Sequence, residues 1–194
     1  METLDAEGLC NNCPLLKSCY VECLRLDTAS WSLKIIKQDF VLQSREKDAQ
    51  GWLLKKGDYA HVAHDLHNTD PRYFHGPEVW KADRHIRIEG EGSEKKAVVD
   101  MGSIRPYGES VRPSAGSKLT ASIGGGLSMC KGRAFAFKES MMFTAAIVAM
   151  WDIDGPNGSK IQVPKHRKAT GTYNTSDVTR VRVTPRRFET ATRP

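Results

Sequence analysis

Three glycines, Gly124-Gly125-Gly126, lead through Leu127-Ser128-Met129 to Cys130, and Gly132-Arg133 then open a long apolar segment. Glycine lets a backbone turn tightly and approach a flat ligand with no side chain in the way. A cysteine at a helix start meets free amide donors and the positive end of the dipole, which favour its thiolate. A thiolate offered by a bare glycine loop meets the needs of an axial haem ligand, because donors aimed at the sulfur tune the iron. The plain alternative is a flexible turn beside an inert cysteine, and a short motif alone does not separate the two.

Two further clusters carry charge at useful spacings. Glu22 and Arg25 lie three apart, which puts carboxylate and guanidinium on one helix face. Taken alone the pair reads as a surface contact worth ~0–1 kcal/mol; buried with a third partner it would fix geometry. The stretch Trp80-Lys81-Ala82-Asp83-Arg84-His85 offers Arg84 as that third partner.

Metal binding by other residues is the competing chemistry. Cys10, Cys13, Cys19 and Cys23 form Cys-x2-Cys then Cys-x3-Cys with only five residues between the pairs. That loop is short for a zinc knuckle, so small core or groove cysteines are the simpler reading. His61, His64 and His67 recur every third residue without a carboxylate at catalytic-zinc spacing.

These residues need elements to hold them. Pro14 to Leu26 has helical spacing, with Leu15, Leu16, Cys19, Tyr20, Cys23 and Leu24 on related faces. Ser32 to Val41 reads as extended, and Trp52 to Asp58 as a strand and turn continued by Tyr59 to Ala63. Asn68 to Ala82 is a Pro- and Gly-punctuated meander, and Glu89 to Gly102 reads as a polar loop. Arg133 to Trp151 is the strongest predicted helix. After the turn Asp154-Gly155-Pro156-Asn157-Gly158, strands are expected near Lys160 to Pro164 and Val178 to Thr184. The class is α+β.

Bulk properties exclude several roles. The 194 residues have 39% apolar content and a net charge of +6, enough for a core in one domain or part of one. The basic residues are interspersed with acids rather than gathered into a stripe with aromatics, so no nucleic-acid partner is expected. Met1 to Asn12 is acidic with no apolar stretch of a signal peptide. The longest apolar-rich run, Phe143 to Trp151, falls well short of the ~20 residues that span a bilayer. An odd count of five cysteines argues against a disulfide framework.

In this order and spacing the segments resemble the C-terminal portion of a cytochrome P450, the haem-thiolate monooxygenases. Glu22 and Arg25 match the E-x-x-R of the family's K helix. Trp80, Ala82, Asp83, Arg84 and His85 look like its F-x-P-E-R-F segment, and Cys130, Gly126, Gly132, Arg133 and Ala136 like its haem loop and L helix. The likeness runs from about Pro14 to Arg182, and the wording of the segments is similar to fungal-type members. It implies that portion of the fold: K helix, β-strand pairs, meander, haem loop, L helix and terminal β-hairpin. As a partial P450 domain, 1–194 would divide into a divergent start (1–13), a K helix, strands and meander (14–107), and an insertion (108–123). The haem loop and L helix (124–151) and terminal strands (152–194) would follow.

The resemblance also implies site residues and partners. Cys130 would be the axial ligand of haem iron, with Gly126, Gly132 and Arg133 around it, Lys34 as a propionate partner, and Glu22, Arg25 and Arg84 as a structural triad. Thr28 to Trp31 and Ala169 to Asn174 would line a substrate pocket. The reaction implied is insertion of one oxygen atom into a small organic substrate, in secondary metabolism. An NADPH-dependent reductase would donate the electrons, and the chain would be a monomer. A full-length member would sit at the endoplasmic reticulum membrane; as written, this chain has no anchor and reads as soluble and cytoplasmic.

Departures from the pattern bear on activity. Ser128 stands where the family has Arg or His, and Ile123 where it has an aromatic. Removing residues 108–123 would join Arg105-Pro106-Tyr107 to Gly124 and restore an ordinary loop with Tyr107 in the aromatic position. Gly108-Glu109-Ser110 can be encoded with GTGAGT, so the insertion reads as a retained intron. Nothing before Pro14 supplies the family's oxygen-activating distal helix. A truncated, catalytically inactive fragment, or a small zinc module, is therefore the alternative to an active enzyme.

Overall fold

The computed structural model describes residues 5–43, 50–99, 130–167, 169 and 171–187. Two helices open the chain: α1 (Ala6–Asn12), whose N-cap Asp5 accepts a hydrogen bond from the Gly8 amide at 2.8 Å, and α2 (Pro14–Asp27). Pro14 suits the first turn of α2, where its missing N–H is not needed. Thr28 ends the helix in extended conformation and donates its hydroxyl to the Leu24 carbonyl at 2.5 Å.

The first turn of sheet follows at once. β1 (Thr28–Ala29) leads to β2 (Trp31–Ile35) and β3 (Phe40–Leu42), so the single extended stretch expected there is broken. β4 (Trp52–Leu54) pairs with β3, while β5 (Tyr59–Ala63) pairs with β2, both antiparallel. The turn between β4 and β5 needs Gly57, at φ 96, a left-handed conformation that side chains rarely accept. A short helix, α3 (His64–Asn68), then enters the irregular meander.

The expectation of a polar loop after Glu89 is corrected. Ile86–Glu89 (β6) and Lys96–Val99 (β7) form an antiparallel hairpin, closed by Gly90 at φ 91 and a 3-10 turn at Gly92–Glu94. The charged run from Glu89 to Lys96 closes the hairpin, residues 90–95 being the turn, and it masks the alternation of Ile86, Ile88, Ala97 and Val99 on either side. A Cβ at Gly90 would stand 2.6 Å from the Glu94 carbonyl oxygen, so the hairpin excludes any larger residue there.

The long helix α4 (Arg133–Met150) is followed directly by β8 (Trp151–Asp154), which pairs with β12 (Arg182–Pro185). The strand expected at Lys160 to Pro164 is absent, and its place is taken by β9 (His166–Arg167), paired with β11 (Asn174–Thr175). Two prolines close to that stretch, Pro156 and Pro164, keep it from regular pairing. β10 (Gly171–Thr172) returns to pair with β1, Thr28 opposite Thr172 and Ala29 opposite Gly171.

Val21, Phe74 and Val99 form the apolar core, with Tyr20, Leu24 and Ile86 packed around it. Thus α2, the meander and the β6–β7 hairpin share one interior. α4 rests against α2 through an edge-to-face contact of Phe137 on Tyr20, ring centres 5.1 Å apart, and buries Met141. No helix among the described residues is long and apolar enough to cross a membrane.

Candidate functional site

Helix α2 is where expected, and of the apolar residues named on it Tyr20 and Leu24 pack against the core. Its inward residues are Ser18, Val21, Glu22 and Arg25, while Leu15 and Cys23 are exposed. The surface reading of the Glu22–Arg25 pair is therefore corrected, both side chains being fully buried. Both the apolar core around Val21 and the buried charges of Glu22 and Arg25 fix the orientation of this helix.

The pair is the centre of a larger network. Arg25 grips the carboxylate with two nitrogens, Nε on Oε2 and Nη2 on Oε1, each at 2.9 Å. Arg84 Nε donates to Oε1 at 2.8 Å, the Lys81 amide to the same oxygen at 3.1 Å, and His85 Nε2 lies 2.9 Å from Oε2. The structure thus brings Glu22, Arg25 and Arg84 into one cluster. It adds His85, which occupies an aromatic position of the F-x-P-E-R-F pattern and whose role the sequence reading did not assign. Burial alone would raise the Glu22 pKa. Hydrogen bonds from Arg25, His85, Arg84 and the Lys81 amide outweigh it and hold the carboxyl well below the usual range.

The remaining guanidinium hydrogens explain how an irregular meander stays ordered. Arg25 Nη1 donates to the carbonyls of Asn68 (2.6 Å) and Pro77 (2.7 Å). Arg84 donates to those of His75 (2.7 Å), Gly76 (3.1 Å) and Val79 (2.5 Å). Carbonyls that no helix or sheet satisfies are satisfied by arginine, whose fork carries five donors. Phe74 lies beneath the Arg25 guanidinium, 5.0 Å from the ring centre. Glu22 neutralises one of the two cations, and the carbonyl dipoles solvate both.

Cys130 stands two residues before Gly132, the N-cap of α4, and its thiol is exposed and free. Arg133 Nη1 donates to the Cys130 carbonyl at 2.9 Å, which fixes the cysteine backbone against the first residue of the helix. A Cβ on Gly132 would lie 3.9 Å from the Cys130 sulfur, an ordinary contact, so glycine there keeps the sulfur's flank bare without being sterically required. The phenol of Tyr20 has its pKa pushed up by burial first and by its charge interaction with the neighbouring Cys130 second. The cysteine therefore lies close to the helix that carries the network, with its sulfur open. A soft thiolate donor, uncovered at the start of an 18-residue helix, fits an axial ligand of haem iron.

Lys34 lies on β2 opposite Ala60, on a separate two-stranded ribbon. Gly126, Ser128, Ile123 and the whole 108–123 segment lie outside the described residues. The two predicted pocket turns do meet, through the β1–β10 pairing. Beside them a cavity of about 680 Å3 is lined by Leu26, Asp27, Leu66, Trp80 and Tyr173 among others.

The competing metal residues sit in unrelated settings. Cys10 is buried in α1 and Cys23 exposed on α2, and all five cysteines are free thiols. His61 meets Trp31 edge-to-face with ring centres 4.5 Å apart, His64 lies 2.8 Å from the Ser32 hydroxyl, and His67 packs on Tyr73 at 4.6 Å. Burial lowers the pKa of His64 and of His67. Among the described residues no group of three or more His, Cys, Asp or Glu is placed to hold a metal.

Known proteins give the arrangement a family. The chain is 28% identical over 147 residues to cholesterol 7-alpha-monooxygenase of Cricetulus griseus, covering 74% of this chain and 25% of that protein. It is 28% identical over 179 residues to human 7-alpha-hydroxycholest-4-en-3-one 12-alpha-hydroxylase, covering 90% of this chain and 32% of the relative. Its structure superposes on retinoic-acid-bound cyanobacterial CYP120A1 with a TM-score of 0.62 at 22% identity, over 95% of this chain and 35% of that one. A P450 of Bacillus megaterium, CYP109E1, superposes with a TM-score of 0.52 at 21% identity, over 91% and 36% of the two chains. No family model matches the sequence.

The chain has the partial fold of a cytochrome P450, its C-terminal portion, and is similar in sequence to members of that family. It spans a quarter to a third of the length of these curated relatives. Cytochrome P450s are monooxygenases that bind haem through a cysteine thiolate, so the likeness is to an enzyme with that cofactor.

Proposed function

We propose that this chain forms the thiolate side of a haem-thiolate monooxygenase, with Cys130 as the axial ligand. The observation that carries the reading is the packing of α4, the helix that follows Cys130, on α2, whose other side holds the Glu22 network. A buried carboxylate locked by two arginines is an expensive arrangement that makes sense as a rigid backing for a ligand. When bound, a thiolate-ligated haem supplies the iron that activates dioxygen for insertion of one oxygen atom into an organic substrate.

The chain's own residues then have separable tasks. Arg133 holds the Cys130 carbonyl, Gly132 would leave the flank of the sulfur bare for a bound haem, and Gly126 is assigned to the haem loop from the sequence resemblance alone. Lys34 offers a cation for a propionate. Glu22, Arg25 and Arg84 order the meander against α2, as the two arginines tie five of its carbonyls. Thr28 to Trp31 and Ala169 to Asn174 shape the substrate side. The sterol names of the relatives make a sterol-sized apolar molecule the first substrate to try. Electrons would come from a separate NADPH-dependent reductase, and a role in secondary metabolism fits this chemistry. The part of the fold that the chain does not span would have to furnish the oxygen-side wall, so activity requires that part as well.

Spectroscopy tests the reading. Haem-loaded protein, reduced under carbon monoxide, should give the red-shifted Soret band of a thiolate ligand, and Cys130→Ser should abolish it while haem remains bound. A Cys130→Ser protein that kept the band would overturn the assignment.

A further inference from the structure

Neither the Cys130 loop nor the Glu22 network uses the cavity beside the β1–β10 pairing. In a chain of net charge +6, this cavity of about 680 Å3 is lined by Asp27, Asp65 and Glu78 and, among the described residues, by no lysine or arginine. Each acid comes from a different element: the end of α2, the first turn of α3 and the meander. Leu26, Leu66 and Val163 supply apolar walls, and Trp80 and Tyr173 aromatic ones. The volume falls inside the ~300–1,000 Å3 of small-molecule sites.

The three acids differ in what they already hold. Asp27 has a partner in His166 of β9, whose Nε2 lies 3.2 Å from its Oδ1. Asp65 does not: its Oδ1 is shut off from solvent and accepts no hydrogen bond. A carboxylate oxygen left in that state is costly, and a donor on a ligand would satisfy it. Glu78 is exposed and makes no ion pair among the described residues. Asp65 and Glu78 act on one ring, because burial and then the charges of these two carboxylates push the Tyr173 phenol's pKa up.

Three features narrow the ligand chemistry. The charge of the walls asks for a cation. No group of three or more His, Cys, Asp or Glu among the described residues is placed to hold a metal. The acids therefore do not converge on a bare ion, and they suit a group that carries several N–H donors. Aromatic rings beside carboxylates favour an ammonium on an apolar body, which meets ring face and acid together. We propose that this cavity binds a protonated organic amine, its ammonium held by Asp65 and Glu78 and its apolar part against Leu26, Leu66 and Trp80. A sterol hydroxyl can serve one of these acids but neutralises neither. The inference stands on the cavity and does not require Cys130 to bind haem.

A charged and an uncharged form of one probe decide it. The purified full chain is titrated with monodansylcadaverine, a fluorescent primary amine, and with its N-acetyl derivative, which keeps the same ring and chain. Binding is read by fluorescence anisotropy. The amine should saturate and bind about tenfold or more tightly than the acetyl form. Asp65→Asn and Glu78→Gln should each weaken the amine by about fivefold or more and leave the acetyl form within about twofold. Glu139→Gln, which changes an exposed acid on α4, should alter neither. Circular dichroism checks the fold of each variant, and the exposed Glu78 carries the test should Asp65→Asn fail to fold. Equal affinity for the two probes, or no saturable binding, would overturn the proposal. So would amine binding that Glu78→Gln leaves unchanged, or that Glu139→Gln weakens as much. The carbon monoxide spectrum of haem-loaded protein reports separately on Cys130.

Discussion

Helices α2 and α4 treat the same solvent in opposite ways. α2 buries a glutamate and an arginine and leaves Leu15 open, while α4 leaves two phenylalanines open and buries one methionine. The difference shows that, among the described residues, α2 is finished by its partners and α4 is not. A charge can be buried only when its partners are present. Every oxygen of Glu22 already has its donors. An apolar face has no such requirement for specific partners, and it waits for whatever surface fits.

The comparison breaks most visibly at Glu22. Glu22→Gln leaves Arg25 and Arg84 without a counter-charge, and should cost about 3–5 kcal/mol in urea unfolding of the chain. Met141→Ala, on the inward side of α4, should cost about 2–5 kcal/mol by the same measurement, with the exact value set by how far α1 and α2 close over the gap. Acid is a gentler probe of α2. The Glu22 pKa is lower in the folded state, so its stabilising share is complete above the ordinary glutamate value of about 4.3 and is lost as pH falls below it. Unfolding at pH 3 should show a loss of about 2 kcal/mol from this group, absent in Glu22→Gln. The smallest effect is expected on the outward side of α4. Phe143→Ser should change the stability of the chain alone by no more than about 0.5 kcal/mol, despite removing an aromatic ring. A large loss there would mean that the chain covers this face itself.

Sequence patterning reveals some of this and hides the rest for identifiable reasons. Helices α2 and α4 were legible because each is long and bounded, by Pro14 and Thr28 in one case and Gly132 in the other. The inward face of α2 was legible only in part: Tyr20 and Leu24 pack inward, but Leu15 and Cys23 are exposed, and the buried Ser18, Glu22 and Arg25 are chosen by hydrogen bonds and ion pairs that apolar spacing does not register. The β6–β7 hairpin was hidden by its charged turn. β8 was hidden because Trp151 reads as the end of the helix, whereas its backbone is already extended and the strand pairs with β12. In the site, Glu22, Arg25, Arg84 and Cys130 could be named from spacing and resemblance. His85 could have been found from one signal, a polar ring in an aromatic position next to the third charged partner. Five carbonyl contacts to the arginines could not, since backbone acceptors leave no mark in a sequence.

The two-residue pairing of β1 with β10 has a temporal consequence. Thr28 and Thr172 are separated by most of the chain, so joining them pays nearly the largest loop-closure entropy available to this fold. A bridge this short returns little for it, even with the Tyr173 amide donating to the Asp27 carbonyl at 2.7 Å. Such a clasp is expected to close after α2 and the terminal strands have formed, and to open more readily than α2. The mouth of the pocket it joins would then breathe on a faster clock than the network that anchors α2.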